Sequence, residues 1–172
     1  DPTNPFDRVV VFHSLSKRSN LPGLRSGFIA GDPGVIGEFG KFRSYAGPAS
    51  PLPVYAAAAA AWSDEAHVEE NRARYRQKFD LAQSVLGDRF GFYRPAGGFF
   101  LWLEVDDSVA AASRLWREAG VRTLPGAYLA QTGADGFNPG AAYLRLALVD
   151  TLGRTEEALR RMVATLGDGI RA

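Results

Sequence analysis

The chain has 172 residues, 46% of them hydrophobic and 23% charged, the balance of a folded globular protein rather than a disordered segment. Lys and Arg total 20 against 19 Asp and Glu, so a net charge of +1 supplies no electrostatic footprint for nucleic acid or an anionic membrane. With no cysteine there is no disulfide framework, thiolate zinc site or cysteine nucleophile, and the two histidines, His13 and His67, lie too far apart in sequence to suggest a metal site.

The sequence opens at Asp1 and its only methionine is Met162, so it reads as a trimmed piece of a longer protein. Its start has no signal-peptide pattern, and no apolar run approaches the ~20 residues of a membrane span; a cytoplasmic protein is expected. After a polar lead-in, Asp1 to Asp7, the run Val9, Val10, Val11, Phe12 predicts a strand buried on both faces, as in a parallel sheet. A polar loop follows, then the turn pair Pro22-Gly23 and a second strand over Arg25 to Ala30. A helix is expected from about Val35 to Tyr45, weakened by Gly37 and Gly40. Gly47 to Pro53 holds three prolines and reads as a linker between two structural units, placing the domain boundary after residue 47.

Ala56 to Ala61 is helical by propensity, and Ser63 is the expected cap of a long second helix, with Asp64, Glu65, Glu69 and Glu70 in its acid-favouring first turns. Val68, Tyr75, Phe79, Ala82 and Leu86 form its apolar face. The basic cluster Arg72, Arg74, Arg76 and Lys78 reads as a solvated face. A strand over Phe99 to Val105, a helix over Ser108 to Ala119 ended by Gly120, and short strands over Val121 to Leu124 and Tyr143 to Val149 follow. Thr151 opens a last helix reaching Leu166. Strands alternating with helices give an α/β or α+β layer arrangement.

The stretch from Ser14 to Gly27 carries the chemistry. It leaves an apolar strand, where α/β proteins place their sites. A lysine there, Lys17, is partly desolvated in expectation, which favours the neutral, nucleophilic amine that condenses with a carbonyl. Ser14 and Ser16 offer hydroxyls, and Arg25 offers a planar fork suited to phosphate. Pro22-Gly23 is expected to turn the chain so that Arg25 returns toward Lys17. An exposed loop with surface cations is the plainer reading of the same residues.

Ser14-x-Ser16-Lys17, with Arg25 eight residues after the lysine and Gly27 beyond, resembles the signature of the class I/II, fold type I aminotransferases. The resemblance implies pyridoxal 5'-phosphate as cofactor, Lys17 as the catalytic Schiff-base residue, and Ser14, Ser16 and Arg25 as cofactor-binding residues. Pro95 to Trp102 is similar to the opening strand of that family's small domain. Tyr143 to Leu148 is similar to the strand whose arginine, here Arg145, grips the substrate carboxylate. On alternation Arg145 shares a face with Tyr143, Ala147 and Val149, an apolar setting in which a guanidinium wants a carboxylate, from substrate or from a structural ion pair. The finer sequence from Ser16 to Gly27, with Arg43 to Gly47, looks most like the N-succinyldiaminopimelate aminotransferases of bacterial lysine synthesis.

The family's acid for the pyridine nitrogen, its ring-stacking aromatic and its phosphate loop all lie upstream of the lysine strand, and the 16 residues before Lys17 supply none of them. The resemblance therefore implies a C-terminal fragment: the end of the large domain, residues 1–47, then linker, long helix and α/β small domain, residues 48–172. The implied partners are an amino-acid donor, a 2-oxo acid and a second subunit in a homodimer, with Tyr45 to Pro53 as a segment for reaching across. Three alternatives stay open: an aminotransferase for aspartate, alanine or aromatic donors; a non-catalytic dimerisation module; and the serine–lysine acylases, whose pattern Ser14-x-x-Lys17 also satisfies although their Ser-Asp-Asn and Lys-Thr-Gly elements are missing.

Overall fold

The computed structural model describes residues 6–47 and 49–167; Pro48, in the expected linker, and the first five residues of the lead-in lie outside them. The chain divides into two compact units, Asp1–Asn71 and Arg72–Ala172. The break between these units falls inside a helix. The first unit contains β1 (Val10–Ser14), α1 (Leu15–Arg18), β2 (Gly27–Gly31), α2 (Pro33–Arg43), α3 (Leu52–Ser63) and the start of α4 (Ala66–Leu86). The second contains the rest of α4, then β3 (Phe100–Glu104), α5 (Ser108–Arg114), β4 (Leu124–Pro125), β5 (Tyr143–Ala147) and α6 (Leu152–Leu166).

In the first unit β1 and β2 form an antiparallel pair, Val10 opposite Gly31 and Ser14 opposite Gly27. The expected parallel, doubly buried strand is not found: Val11 is 48% and Phe12 73% exposed. Four apolar residues set how much surface a strand offers for burial; they carry no information on the direction of its neighbour or on which layers cover it. Asp32 caps α2, its carboxylate accepting from the Gly34 and Val35 N–H groups, and Pro33 occupies the first turn, where its missing donor costs nothing. Pro53 plays the same part in α3, so the expected irregular stretch already becomes helical at Leu52. Ser63 ends α3 and caps nothing; Asp64 instead accepts from the Ala66 N–H at the entry to α4.

The second unit has a three-stranded antiparallel sheet in the order β3-β5-β4. Alternation sorts its faces. Leu101, Leu103, Leu144 and Leu146 point into a core with Phe79, Ala82 and Leu86 of α4, Leu115, and Leu159 and Met162 of α6. Phe100, Trp102, Glu104, Tyr143 and Arg145 occupy the opposite, half-buried face. Thr151 caps α6 through its hydroxyl, and Gly120, at φ +64°, closes the π-helical turn that ends α5. Gly126 is held by close approach: a Cβ there would lie 2.5 Å from the Gly140 carbonyl oxygen, 2.7 Å from that of Tyr143 and 2.9 Å from the Trp102 ring.

Candidate functional site

β1 ends at Ser14, and the chain enters α1, a single turn carrying Ser16 and Lys17. Ser14 is its cap: the hydroxyl oxygen accepts from the Ser16 N–H at 3.1 Å and its proton is donated to the Ser26 carbonyl at 3.3 Å. The Leu15 N–H also donates to Ser26, at 3.1 Å, so the loop closes back on its own start. Leu15 is fully buried and anchors the turn. Pro22–Leu24 forms a 3-10 turn, after which Arg25 takes a left-handed backbone, φ +50°. Arg25 thus returns to within one residue of the Ser14–Ser26 clasp, but its guanidinium donates to the Pro22 carbonyl at 2.8 Å.

A cavity of about 670 Å³ opens beside this loop, lined by Ser14, Lys17, Arg18 and Arg43 among aromatic walls that include Phe12 and Phe28. Ser14 and Lys17 therefore share one space, while Arg25 is not part of its lining. Lys17 is exposed. An amine, a hydroxyl and guanidinium groups between apolar walls form a donor set for a ligand with a carbonyl carbon, an anionic group and a flat ring.

Sequence reasoning missed Arg18. Its side chain is only 8% exposed. It donates to the Ala61 carbonyl at 2.8 Å, to Trp62 and Asp64 carbonyls at 3.4 Å each, pairs with Glu65, and lies 5.0 Å over the Trp62 ring. The missed signal was geometric: consecutive residues on a helix diverge by about 100°, so Arg18, although it also borders the cavity, leaves α1 at a different angle from Lys17 and can reach the end of α3.

In the second unit Arg145 sits opposite Trp102 across β3 and β5. Its guanidinium carbon lies 4.5 Å from the Phe100 ring centre. The alternative of a structural ion pair is not seen: among the described residues no carboxylate bonds Arg145, and the aromatic face is what supports the charge. Beside it Trp102 stacks on Tyr143 with 5.3 Å between ring centres, and the Tyr143 hydroxyl donates to Glu104 at 3.2 Å. That bond to a carboxylate holds the Tyr143 phenol above its ordinary pKa. Lys78, set down as part of a solvated face, is half-buried and donates to the Leu148 carbonyl at 2.8 Å; desolvation holds it below the ordinary lysine range.

Known proteins resemble this chain in sequence and fold. The family model "Aminotransferase class I and II" matches residues 2–162. The 4-dedimethylamino-4-oxo-anhydrotetracycline transaminase OxyQ of Streptomyces rimosus is 37% identical over 157 residues, 91% of this chain and 42% of that protein. An aminotransferase structure from Neisseria meningitidis superposes with a TM-score of 0.86 at 41% identity, covering 94% of this chain and 41% of that one. A structure of a probable N-succinyldiaminopimelate aminotransferase from Thermus thermophilus gives 0.79 at 27% identity, covering 93% and 42%. The chain thus spans about two fifths of the length of the relatives it matches. With the match running from before β1 into α6, the chain belongs to the class I and II aminotransferases, a pyridoxal-phosphate-dependent family of fold type I.

Proposed function

We propose that the chain is the lysine-bearing C-terminal part of a transaminase that moves an amino group from an amino acid to a 2-oxo acid, with N-succinyl-LL-2,6-diaminopimelate and 2-oxoglutarate as the pair. Residues 1–47 then end the large cofactor domain, and residues 48–172 supply the linker, long helix and small domain. The observation that carries the reading is that Lys17 and Ser14 line one aromatic-walled cavity at the end of β1.

The donor set fits pyridoxal phosphate. When bound, that group supplies an aldehyde carbon for amine exchange and a conjugated ring that takes up the electron pair released at the donor's α-carbon. Lys17 Nζ would hold the aldehyde carbon covalently and, once released by the donor amine, would serve as the base and acid that moves the donor's α-proton. Ser14, Ser16 and Arg25 would hold the phosphate; Ser16 and Arg25 lie outside the cavity lining, and Arg25 would leave the Pro22 carbonyl for the charged acceptor. Arg145, stacked and without a carboxylate, fixes the donor's α-carboxylate and so the orientation of the bond that breaks. The Thermus relative's name supports the donor assigned here.

A cytoplasmic homodimer is part of the same proposal. No helix among the described residues is long and apolar enough to cross a membrane. Exposed Phe12, Tyr45 and Leu52 offer apolar surface for association, Tyr45 and Leu52 lying within the segment proposed to reach the partner. Borohydride reduction of the full-length protein with cofactor is expected to fix the label on Lys17. Recovery on Lys41, which pairs with Glu38, on Lys78 or on a lysine elsewhere would overturn the assignment. Faster turnover with aspartate, alanine or aromatic donors would move the protein to a neighbouring group.

A further inference from the structure

We infer that Arg18 is a positioning residue for Lys17, holding the one-turn helix beneath the lysine against the carbonyl end of α3. The inference rests on the role proposed for Lys17. A single turn cannot sustain itself, because its nucleation cost is not repaid by propagation. α1 has four residues, Leu15–Arg18, and its supports include the Ser14 cap, the buried Leu15 with its N–H on Ser26, and the Arg18 side chain.

The Arg18 support is the one that fixes rotation. The last carbonyls of a helix lack intrahelical donors and carry the negative end of its dipole, so a guanidinium fork there satisfies several at once. Arg18 takes the Ala61 and Trp62 carbonyls of α3, then the Asp64 carbonyl and Glu65 carboxylate just beyond. Its face covers the Trp62 ring. Trp62 in turn meets His13 edge-on at 5.2 Å and Phe28 at 5.0 Å, and both residues line the cavity that Lys17 enters. One side chain therefore fixes the base of the lysine and, through Trp62, a wall of the space in which the lysine works. Lysine cannot replace it, since an ammonium has neither the planar fork nor the stacking face.

The test uses the full-length protein with Arg18→Ala, Arg18→Lys and Trp62→Phe. Lys17 reactivity is read first without cofactor, as the rate of reductive methylation of its amine followed by peptide mapping, and then with cofactor, as kcat, KM and the pH dependence of the absorption band of the lysine-bound cofactor. Arg18→Ala is expected to change the methylation rate, to move the midpoint of the band, and to lower kcat about a hundredfold with donor KM changed by less than about threefold. Arg18→Lys should recover little of this. Trp62→Phe, which keeps an aromatic wall, should shift the same readouts in the same direction by less. If Arg18→Ala does not fold, the other two variants decide. Lowered melting temperature with unchanged methylation rate, midpoint and kcat in every folded variant would make Arg18 purely structural and overturn the inference. Wild-type label away from Lys17 would sink the functional reading instead, so the two failures are told apart.

Discussion

Ser14 has one hydroxyl proton and two uses for it. In the structure that proton goes to the Ser26 carbonyl at 3.3 Å, a long bond, while the oxygen accepts from the Ser16 N–H. Turning the proton to a phosphate costs little, because Ser26 keeps the Leu15 N–H at 3.1 Å. Ser14→Ala removes both functions. Losing the cap costs about 1 kcal/mol, and the Ser26 bond adds about 0.5 kcal/mol, since no acceptor is orphaned. A hydrogen bond to a charged acceptor is worth about 1.5–3 kcal/mol, which is about a 10- to 100-fold loss of cofactor affinity. Ser14→Gly separates the two contributions, because glycine at a helix cap costs only a few tenths of a kcal/mol yet has no hydroxyl. Cofactor titration by absorbance and thermal unfolding of the full-length protein are the assays. Ser14→Gly should keep the melting temperature and lose the affinity, and Ser14→Thr should keep both. An affinity unchanged within about threefold in Ser14→Gly would remove Ser14 from the phosphate site.

Three further outcomes are expected. Arg145→Lys loses the two-point fork and its stacking on Phe100; donor KM should rise about 10- to 100-fold with cofactor affinity intact, and loss of cofactor binding instead would make Arg145 structural. Met162→Ala empties a fully buried position and should cost about 2–5 kcal/mol in denaturant unfolding, whereas a cost under about 1 kcal/mol would mean that this core collapses around the change. The N–H groups of Arg8, Val35 and Gly34 hold the Asp32 carboxyl below its ordinary value of 3.8. Because the folded value is the lower one, its stabilisation is complete above 3.8 and is lost as pH falls through the folded value. Acid titration followed by circular dichroism should show a shallower acid limb in Asp32→Asn, and an identical limb would discount the carboxylate.

What was legible in the sequence was what local chemistry decides. Thr151 opens α6, Gly120 ends the helix before it, and Val68, Phe79, Ala82 and Leu86 are buried along α4, all from capping and periodicity alone. The misreadings concern partners remote in sequence. Val121 to Thr123 looked like strand, but the Val121 N–H donates to the Leu115 carbonyl at 3.1 Å, so the turn that closes α5 claims the residue and pairing starts at Leu124. Alternation put Arg145 on the right face of β5, but the residue beneath it, Phe100, is set by the register with β3, which no window on β5 contains. Ser14, Ser16, Lys17 and Arg25 were named from one motif and Arg145 from a second; the clamp beside the lysine was not, because the carbonyls that Arg18 holds are 43 to 46 residues away.

The break between the units inside α4 bears on recombination with relatives. A crossover after residue 47 would give α1 one parent and α3 the other, so Arg18 would have to meet carbonyls and a Glu65 equivalent that it did not evolve beside. A crossover between Asn71 and Arg72 leaves that clamp inherited whole, and leaves Phe79, Ala82 and Leu86 with the sheet and α6 that they pack against. Chimaeras joined within the helix should therefore fold more often than those joined at the prolines, although the prolines look like the natural seam.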